Sequence, residues 1–475
     1  MKIALRWVPP SPLKLQPFAI LVICMLALAA PFHMRSVTAD GDDRLANQPR
    51  SEYQARRRKL MQQIKDGIVV LIGTREEDLG EVPRFRQKND LMYLTGVETP
   101  AASLILIPPG LISNEGPIET VFIPARNKGH EQWTGFQVGP GAEGEQKFGV
   151  QEVAPSNLFN DRLTKLLLAP PFKAADSSQQ PQAKLYTIVP RGYTAAITRE
   201  NQFVESVRKL APNVVIVDVS PLIGELRKVK SVPEIELLQK AIDITGEAQR
   251  DAARTVKPGV YEYEVQGALE YAFTRNGAER PGFASIVGSG IYSTVLHYNE
   301  NRRKIASGDL IVVDIGAEYS YYTADITRTY PVAGKFTPRQ REIYQLVLEA
   351  QRACEKAFKP GETTIGQLQQ VAIGVMKASP VRDKQGKTLE RYFTHGLGHW
   401  LGMDVHDVGS YGKIPVGAVF TIEPGIYIPD EQLGVRIEDD YLATDKGLIK
   451  LSSKIPSDPD AIEALVSRAR PPHTR

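Results

Sequence analysis

Asp309-Leu-Ile-Val-Val-Asp-Ile-Gly-Ala-Glu-Tyr-Ser-Tyr-Tyr-Thr-Ala-Asp-Ile-Thr-Arg-Thr-Tyr330 decides the fold of the second half of this chain. Two β-rich runs in it flank a break near Gly316 to Ser320, the pattern of two strands joined by a turn. A hairpin centred between Tyr319 and Ser320 would set Asp314 opposite Asp325, with β-carbons about 5 Å apart. The arrangement recurs downstream, where a turn centred between Asp430 and Glu431 sets Glu423 opposite Glu438. Facing acid pairs in apolar strands are costly to bury without a cation.

One antiparallel scaffold can present both pairs together with His399, so Asp314, Asp325, His399, Glu423 and Glu438 read as a metal site. Hard divalent ions want several carboxylate oxygens, and one imidazole among them shifts preference from calcium and magnesium toward manganese, cobalt, iron or zinc. Four carboxylates and one histidine suit two ions better than one, and paired ions about 3.5–4 Å apart usually activate a bridging water. The cofactor expected is two divalent ions, Mn2+ first, with Co2+ or Zn2+ as alternatives.

Working outward, the 475-residue chain, 42% hydrophobic and 24% charged, has the composition of an ordinary globular protein and the length of two or three domains. Lys2, Arg6 and Lys14 precede an uninterrupted apolar run, Phe18 to Ala30, followed by small-residue sites at Ala27-Leu-Ala29 and Val37-Thr-Ala39. That is the pattern of a signal peptide, and thirteen apolar residues fall short of the ~20 a membrane span needs. Export to the periplasm or beyond is expected, with an uncleaved N-terminal anchor as the alternative and no other stable membrane partner. Without residues 1–39 the chain loses four bases and no acid, taking 58 basic residues to 54 against 55 acids, net −1. No whole-chain charge then favours nucleic acid. Only Cys354 would remain in the mature chain, so no intrachain disulfide is expected.

The expected organisation is α+β in two parts. Residues 1–39 form the leader. Residues 50–228 alternate short apolar strands with helical stretches and read as an α/β domain, with a polar loop around 174–182. Ser231-Val-Pro-Glu234 then matches a capping box opening a helix that ends at Lys257-Pro-Gly259, and a second helix is expected over 262–275. Residues 232–465 would be helices covering a curved antiparallel sheet, and 466–475 a flexible tail. Of seven histidines, four (His297, His395, His399 and His406) cluster between residues 297 and 406, beside the candidate ligands.

The second domain resembles the pita-bread metallopeptidase family (M24), within it the aminopeptidase P and prolidase branch. The matching stretches are Ile-Val-Gly-Ser-Gly290, Leu-His297-Tyr-Asn-Glu-Asn, Val-Asp314-Ile-Gly-Ala-Glu, Ala-Asp325-Ile-Thr-Arg-Thr-Tyr-Pro, His395-Gly-Leu-Gly-His399-Trp-Leu-Gly-Met-Asp-Val-His406-Asp, Thr-Ile-Glu423-Pro-Gly-Ile-Tyr and Gly-Val-Arg436-Ile-Glu438-Asp. The first domain resembles the partner domain of the aminopeptidase P branch through Phe85-Arg-Gln-Lys-Asn-Asp-Leu-Met-Tyr-Leu-Thr-Gly96 and Glu131-Gln-Trp133-Thr-Gly135.

The resemblance implies a metal-dependent exopeptidase that removes the residue ahead of a proline. In it Asp314 would bind one ion, Asp325 and Glu438 both, and His399 and Glu423 the other. Glu423 would also carry a proton to the leaving nitrogen. His406, with His297 beside it, would stabilise the oxyanion, His395 would line the proline pocket, and Arg436 would orient Glu438 or bind the substrate carboxylate. Trp133 would reach a neighbouring subunit's site, so a homo-oligomer, dimer or tetramer, is expected along with proline-containing peptide substrates.

Two departures bear on substrate length. Phe283 stands where related aminopeptidases often carry Tyr, and the segment from His399 to Glu423, 24 residues, is shorter than the family pattern. Xaa-Pro dipeptidase is the alternative from the same chemistry. A non-catalytic binding module is the alternative from another class, and the complete ligand set runs against it.

Overall fold

The computed structural model describes residues 43–468, except 77–83, 113–117, 130, 173–182 and 193. The expected leader, the polar loop at 174–182 and most of the expected tail lie outside the described residues.

The first half builds a six-stranded mixed sheet in the order Glu152–Pro155, Glu119–Ile123, Ser103–Leu106, Gly67–Ile72, Lys184–Thr187, Val215–Asp218. Its central strand Gly67–Ile72 runs parallel to Lys184–Thr187 and antiparallel to Ser103–Leu106. Alternate side chains of that strand serve two cores, as period two requires. Ile68 and Val70 pack with Phe122, Phe159 and Leu185. Val69 and Leu71 enter a core shared with Leu237, Leu238, Tyr322 and Val419 of the second half. One face of the sheet is therefore sealed by the other half of the molecule.

The boundary falls between the helix Ser220–Lys228 and the long helix Val232–Thr255. Ser231 and Glu234 make the reciprocal capping box anticipated from sequence, with Pro in the first turn. The second expected helix spans Glu262–Arg275. Helices Pro338–Ala357 and Ile365–Ala378 add to the cover, and Pro459–Arg468 closes the described chain. Beneath them the strand pairs of this half are all antiparallel. Among the described residues no helix is long and apolar enough to cross a membrane.

The two halves are stitched by buried charge as well as by apolar contact. Arg227 is 2% exposed and reaches Asp90 at 2.9 Å, Asp404 at 2.6 Å and Asp407 at 2.5 Å, while Lys230 holds the other Asp407 oxygen at 3.0 Å. Glu318 takes a paired grip from Arg86 of the first half and another from Arg280 of the second.

Candidate metal centre

The first acid pair is carried by one continuous hairpin whose register differs from the sequence expectation. Asp314 lies across from Thr327, and Glu318 across from Thr323. The turn is therefore centred between Ser320 and Tyr321, one residue later than expected. Both turn residues have positive φ, 49° and 71°, the conformation that suits right-twisted strands, yet neither is the Gly or Asn that usually announces it. Moving the centre by one residue moves the pairing by two, an even step, so Asp314 and Asp325 stay on one face as diagonal neighbours. Gly316 faces Asp325 across this ladder, and a β-carbon there would lie 1.7 Å from the Ala324 carbonyl oxygen.

The second pair has the register the turn position required. Gly425 pairs with Arg436 and Ile422 with Asp439, which leaves Glu423 across from Glu438. The two hairpins are tied at the centre. The Glu438 amide donates to the Thr327 carbonyl at 3.2 Å, and buried Arg328 donates to the carbonyls of both Thr327 and Glu438 and to the Asp439 carboxylate.

His399 is placed by a further segment laid along this sheet. Backbone amides of Glu423, Thr421 and Leu401 donate to the carbonyls of Leu397, His399 and Val419. A β-carbon on Gly398 would sit 2.0 Å from the Thr421 carbonyl oxygen, so this close approach requires glycine. His399 Nδ1 lies 3.1 Å from the Trp400 carbonyl oxygen, which can only accept, so Nδ1 carries the proton. Its Nε2 then faces Asp325 Oδ2 at 3.3 Å and Glu423 Oε1 at 3.4 Å. Two carboxylate oxygens and one imidazole nitrogen, ligand types that suit a divalent transition-metal ion, converge there.

The acids' other contacts point the same way. Asp314 Oδ2 takes Arg436 at 2.7 Å, Glu438 Oε2 takes the Thr327 hydroxyl at 2.7 Å, and Glu423 Oε1 takes the Thr421 hydroxyl at 3.3 Å. The remaining oxygens Asp314 Oδ1, Asp325 Oδ1 and Glu438 Oε1 are buried with no hydrogen-bond partner among the described residues. Ligand atoms of Asp325, His399 and Glu438 lie within 4.8 Å of one another. In the metal-free chain burial, then repulsion from neighbouring carboxylates, pushes Asp325 and Glu438 well above the carboxylate range. Burial also raises Glu423 to about 7. Unpartnered buried carboxylate oxygens beside an imidazole nitrogen fit a set of divalent-ion ligands.

These residues open onto a cavity of about 470 Å³ that also takes in His297, His395, His406, Arg436 and the apolar side chains Phe283, Ile286, Leu296 and Val405. His395 is fixed at both nitrogens, with Nδ1 against the Gly396 carbonyl and Nε2 against the Tyr427 hydroxyl, each at 2.8 Å. Tyr427 in turn accepts from Arg436 at 2.9 Å. Burial and the Arg436 charge lower His395 to about 4, which keeps it neutral. The His406 ring stands edge-on to His399, centroids 4.3 Å apart, and burial followed by His399 lowers it too.

The structure thus gathers every expected site residue except one. Trp133, in the short helix Glu131–Thr134, is 85% exposed and does not line the cavity of its own chain. Sequence reasoning gave no role to Thr327, Thr421 or Tyr427. Each shares a strand face with a ligand or binding residue two or more even steps away, or directly beside it at i±2, and that period was the available signal.

Residues 236–445 match metallopeptidase family M24, and residues 53–171 match the aminopeptidase P N-terminal domain. The Xaa-Pro aminopeptidase of Escherichia coli is 35% identical over 453 residues, covering 89% of this chain and 98% of its own. A Pyrococcus furiosus Xaa-Pro dipeptidase is 40% identical over 239 residues, covering 49% of this chain and 66% of its own. Zinc-substituted E. coli aminopeptidase P in complex with product superposes with a TM-score of 0.78 at 31% identity, covering 90% of this chain and 100% of that one.

Proposed function

Because the chain belongs to metallopeptidase family M24 and carries the aminopeptidase P N-terminal domain, we propose that it is an Xaa-Pro aminopeptidase, removing the first residue from peptides with proline second. The observation that carries this reading is the convergence of His399 Nε2 with the Asp325 and Glu423 carboxyl oxygens, beside buried oxygens of Asp314, Asp325 and Glu438 that have no hydrogen-bond partner among the described residues. Asp314, Asp325, His399, Glu423 and Glu438 would hold two divalent ions, manganese first. Such ions lower the pKa of a water and polarise the scissile carbonyl.

The chain's own groups supply the rest. Glu423, already raised toward 7, is suited to pass a proton to the proline nitrogen as the bond breaks. His406 and His297, on the cavity wall, are placed to donate to the oxygen that becomes negative. Neutral His395, held by Tyr427, and the apolar surface of Phe283, Ile286 and Leu296 form the wall for the pyrrolidine ring. Arg436 neutralises Asp314 and orients His395 through Tyr427. A tertiary Xaa-Pro amide offers no N–H, so a pocket that reads ring shape suits it better than backbone hydrogen bonding.

Export by residues 1–39, manganese as the working ion and assembly through the exposed Trp133 belong to the same proposal, supported by the charge-then-apolar leader, the donor set and the 85% exposure of that ring. The test is hydrolysis by manganese-loaded protein of matched Xaa-Pro-Xaa, Xaa-Pro and Xaa-Ala-Xaa peptides. Cleavage of the proline tripeptide is expected. Cleavage of the dipeptide alone would make the chain a dipeptidase, and equal cleavage of the alanine peptide would mean the ring pocket is misassigned.

A further inference from the structure

Two fully buried glutamines occupy equivalent places in the two hairpins. Gln249, on Val232–Thr255, donates from Nε2 to the carbonyls of Val313 and Ile326 at 3.1 and 2.8 Å. Gln351, on Pro338–Ala357, donates from Nε2 to the carbonyls of Ile422 and Ile437 at 3.1 and 3.3 Å. Each carbonyl belongs to a residue adjacent to a candidate ligand: Asp314, Asp325, Glu423 and Glu438 respectively. The geometry repeats in register. Val313 faces Arg328, two residues beyond Ile326, and Ile422 faces Asp439, two residues beyond Ile437.

We propose that Gln249 and Gln351 are positioning residues, one per hairpin, that fix the spacing of the two carboxylate pairs and so set metal affinity. Paired carboxylates repel and tend to splay the strands that carry them. A primary amide with two N–H donors aimed at the neighbouring carbonyls of both strands opposes that splay. The orientation of each amide is settled by its surroundings, since Nε2 faces only acceptors. Tyr330 donates to the Gln249 carbonyl at 2.8 Å, and Asp439 lies 3.1 Å from Gln351 Nε2. The Gln351 carbonyl has no partner among the described residues.

This inference rests on the metal-centre reading, and its test separates the two. Manganese is titrated calorimetrically into the full, metal-stripped chain and into Gln249→Met, Gln351→Met and Tyr330→Phe, and the melting temperature of each metal-free protein is measured beside it. Methionine keeps length and bulk but donates nothing. Each glutamine variant should weaken most, by about 10- to 100-fold, the manganese-binding step of the ion its hairpin alone serves through Asp314 or Glu423, the usual effect of losing a group that orients ligands, and weaken the other step by less, since Asp325 and Glu438 serve both ions. Tyr330→Phe should weaken the same step as Gln249→Met, by less, and it keeps that half testable if the methionine variant does not fold. Variants that bind like wild type would overturn the proposal. So would parallel loss of both steps with a fall in the metal-free melting temperature, which is plain destabilisation. Wild-type protein that binds no manganese would overturn the metal-centre reading, and the positioning role with it.

Discussion

At Arg328 one side chain bonds the Thr327, Glu438, Ile455 and Pro456 carbonyls and the Asp439 carboxylate without itself lining the metal-site cavity. Replacing it with Met would leave Asp439 buried with only Lys450 as a counter-charge, and uncompensated buried charge typically costs about 3–5 kcal/mol. Urea denaturation of the metal-free Arg328→Met protein should show a loss of that size. The ligands themselves divide differently: Asp325→Ala and Glu438→Ala should abolish both metal content and turnover, whereas His406→Ala should keep its metal and lose rate. Metal analysis beside kinetics separates the two cases. The ligands were legible because an acid or histidine in an apolar strand stands out against its context. Thr327, Thr421, Gln249 and Gln351 were not, since a hydroxyl or amide that bonds a neighbour looks like any other polar residue until the neighbour is known.

For whole elements, sequence reading was sound wherever a local rule applied. The capping box at Ser231 opened one helix where expected, and the second helix spans the expected 262–275. It slipped at the Ser320-Tyr321 turn, where positive φ is imposed by the packed hairpin on residues that do not advertise it. The loop bearing His406 shows how one element is held by another. Asn89 donates to the Met403 carbonyl, Glu225 accepts from Ser410, and Asp407 is gripped by Arg227 and Lys230. Nothing in the spacing of these residues links them, because the contact exists only once two domains are docked. Arg227→Met should loosen this loop, lowering kcat while manganese content stays at the wild-type level. An unchanged kcat would show that His406 needs no such support.

Over the whole molecule, the crowding of acids links folding to pH. Burial raises Glu423 to about 7 in the metal-free fold against an ordinary 4.5, and holds Asp325 and Glu438 well above their ordinary range too. Folded values above unfolded ones mean that these groups' contribution to stability is complete below the ordinary carboxylate range and is lost as pH rises through 7. The melting temperature of metal-stripped protein should therefore fall between pH 5.5 and 8, and manganese should remove that slope. A rise over the interval without metal would contradict the picture.

The boundary near residue 230 has a consequence for anyone recombining this molecule. Asp407 takes one cation from the last turn of the first domain and one from the linker, and a β-carbon on the neighbouring Gly402 would stand 2.0 Å from its carboxylate. A chimera that grafts a relative's first domain onto this second one would have to inherit Arg227, Lys230, Gly402 and Asp407 as a set. The part that can be exchanged is defined by that seam, and it cuts across both domains.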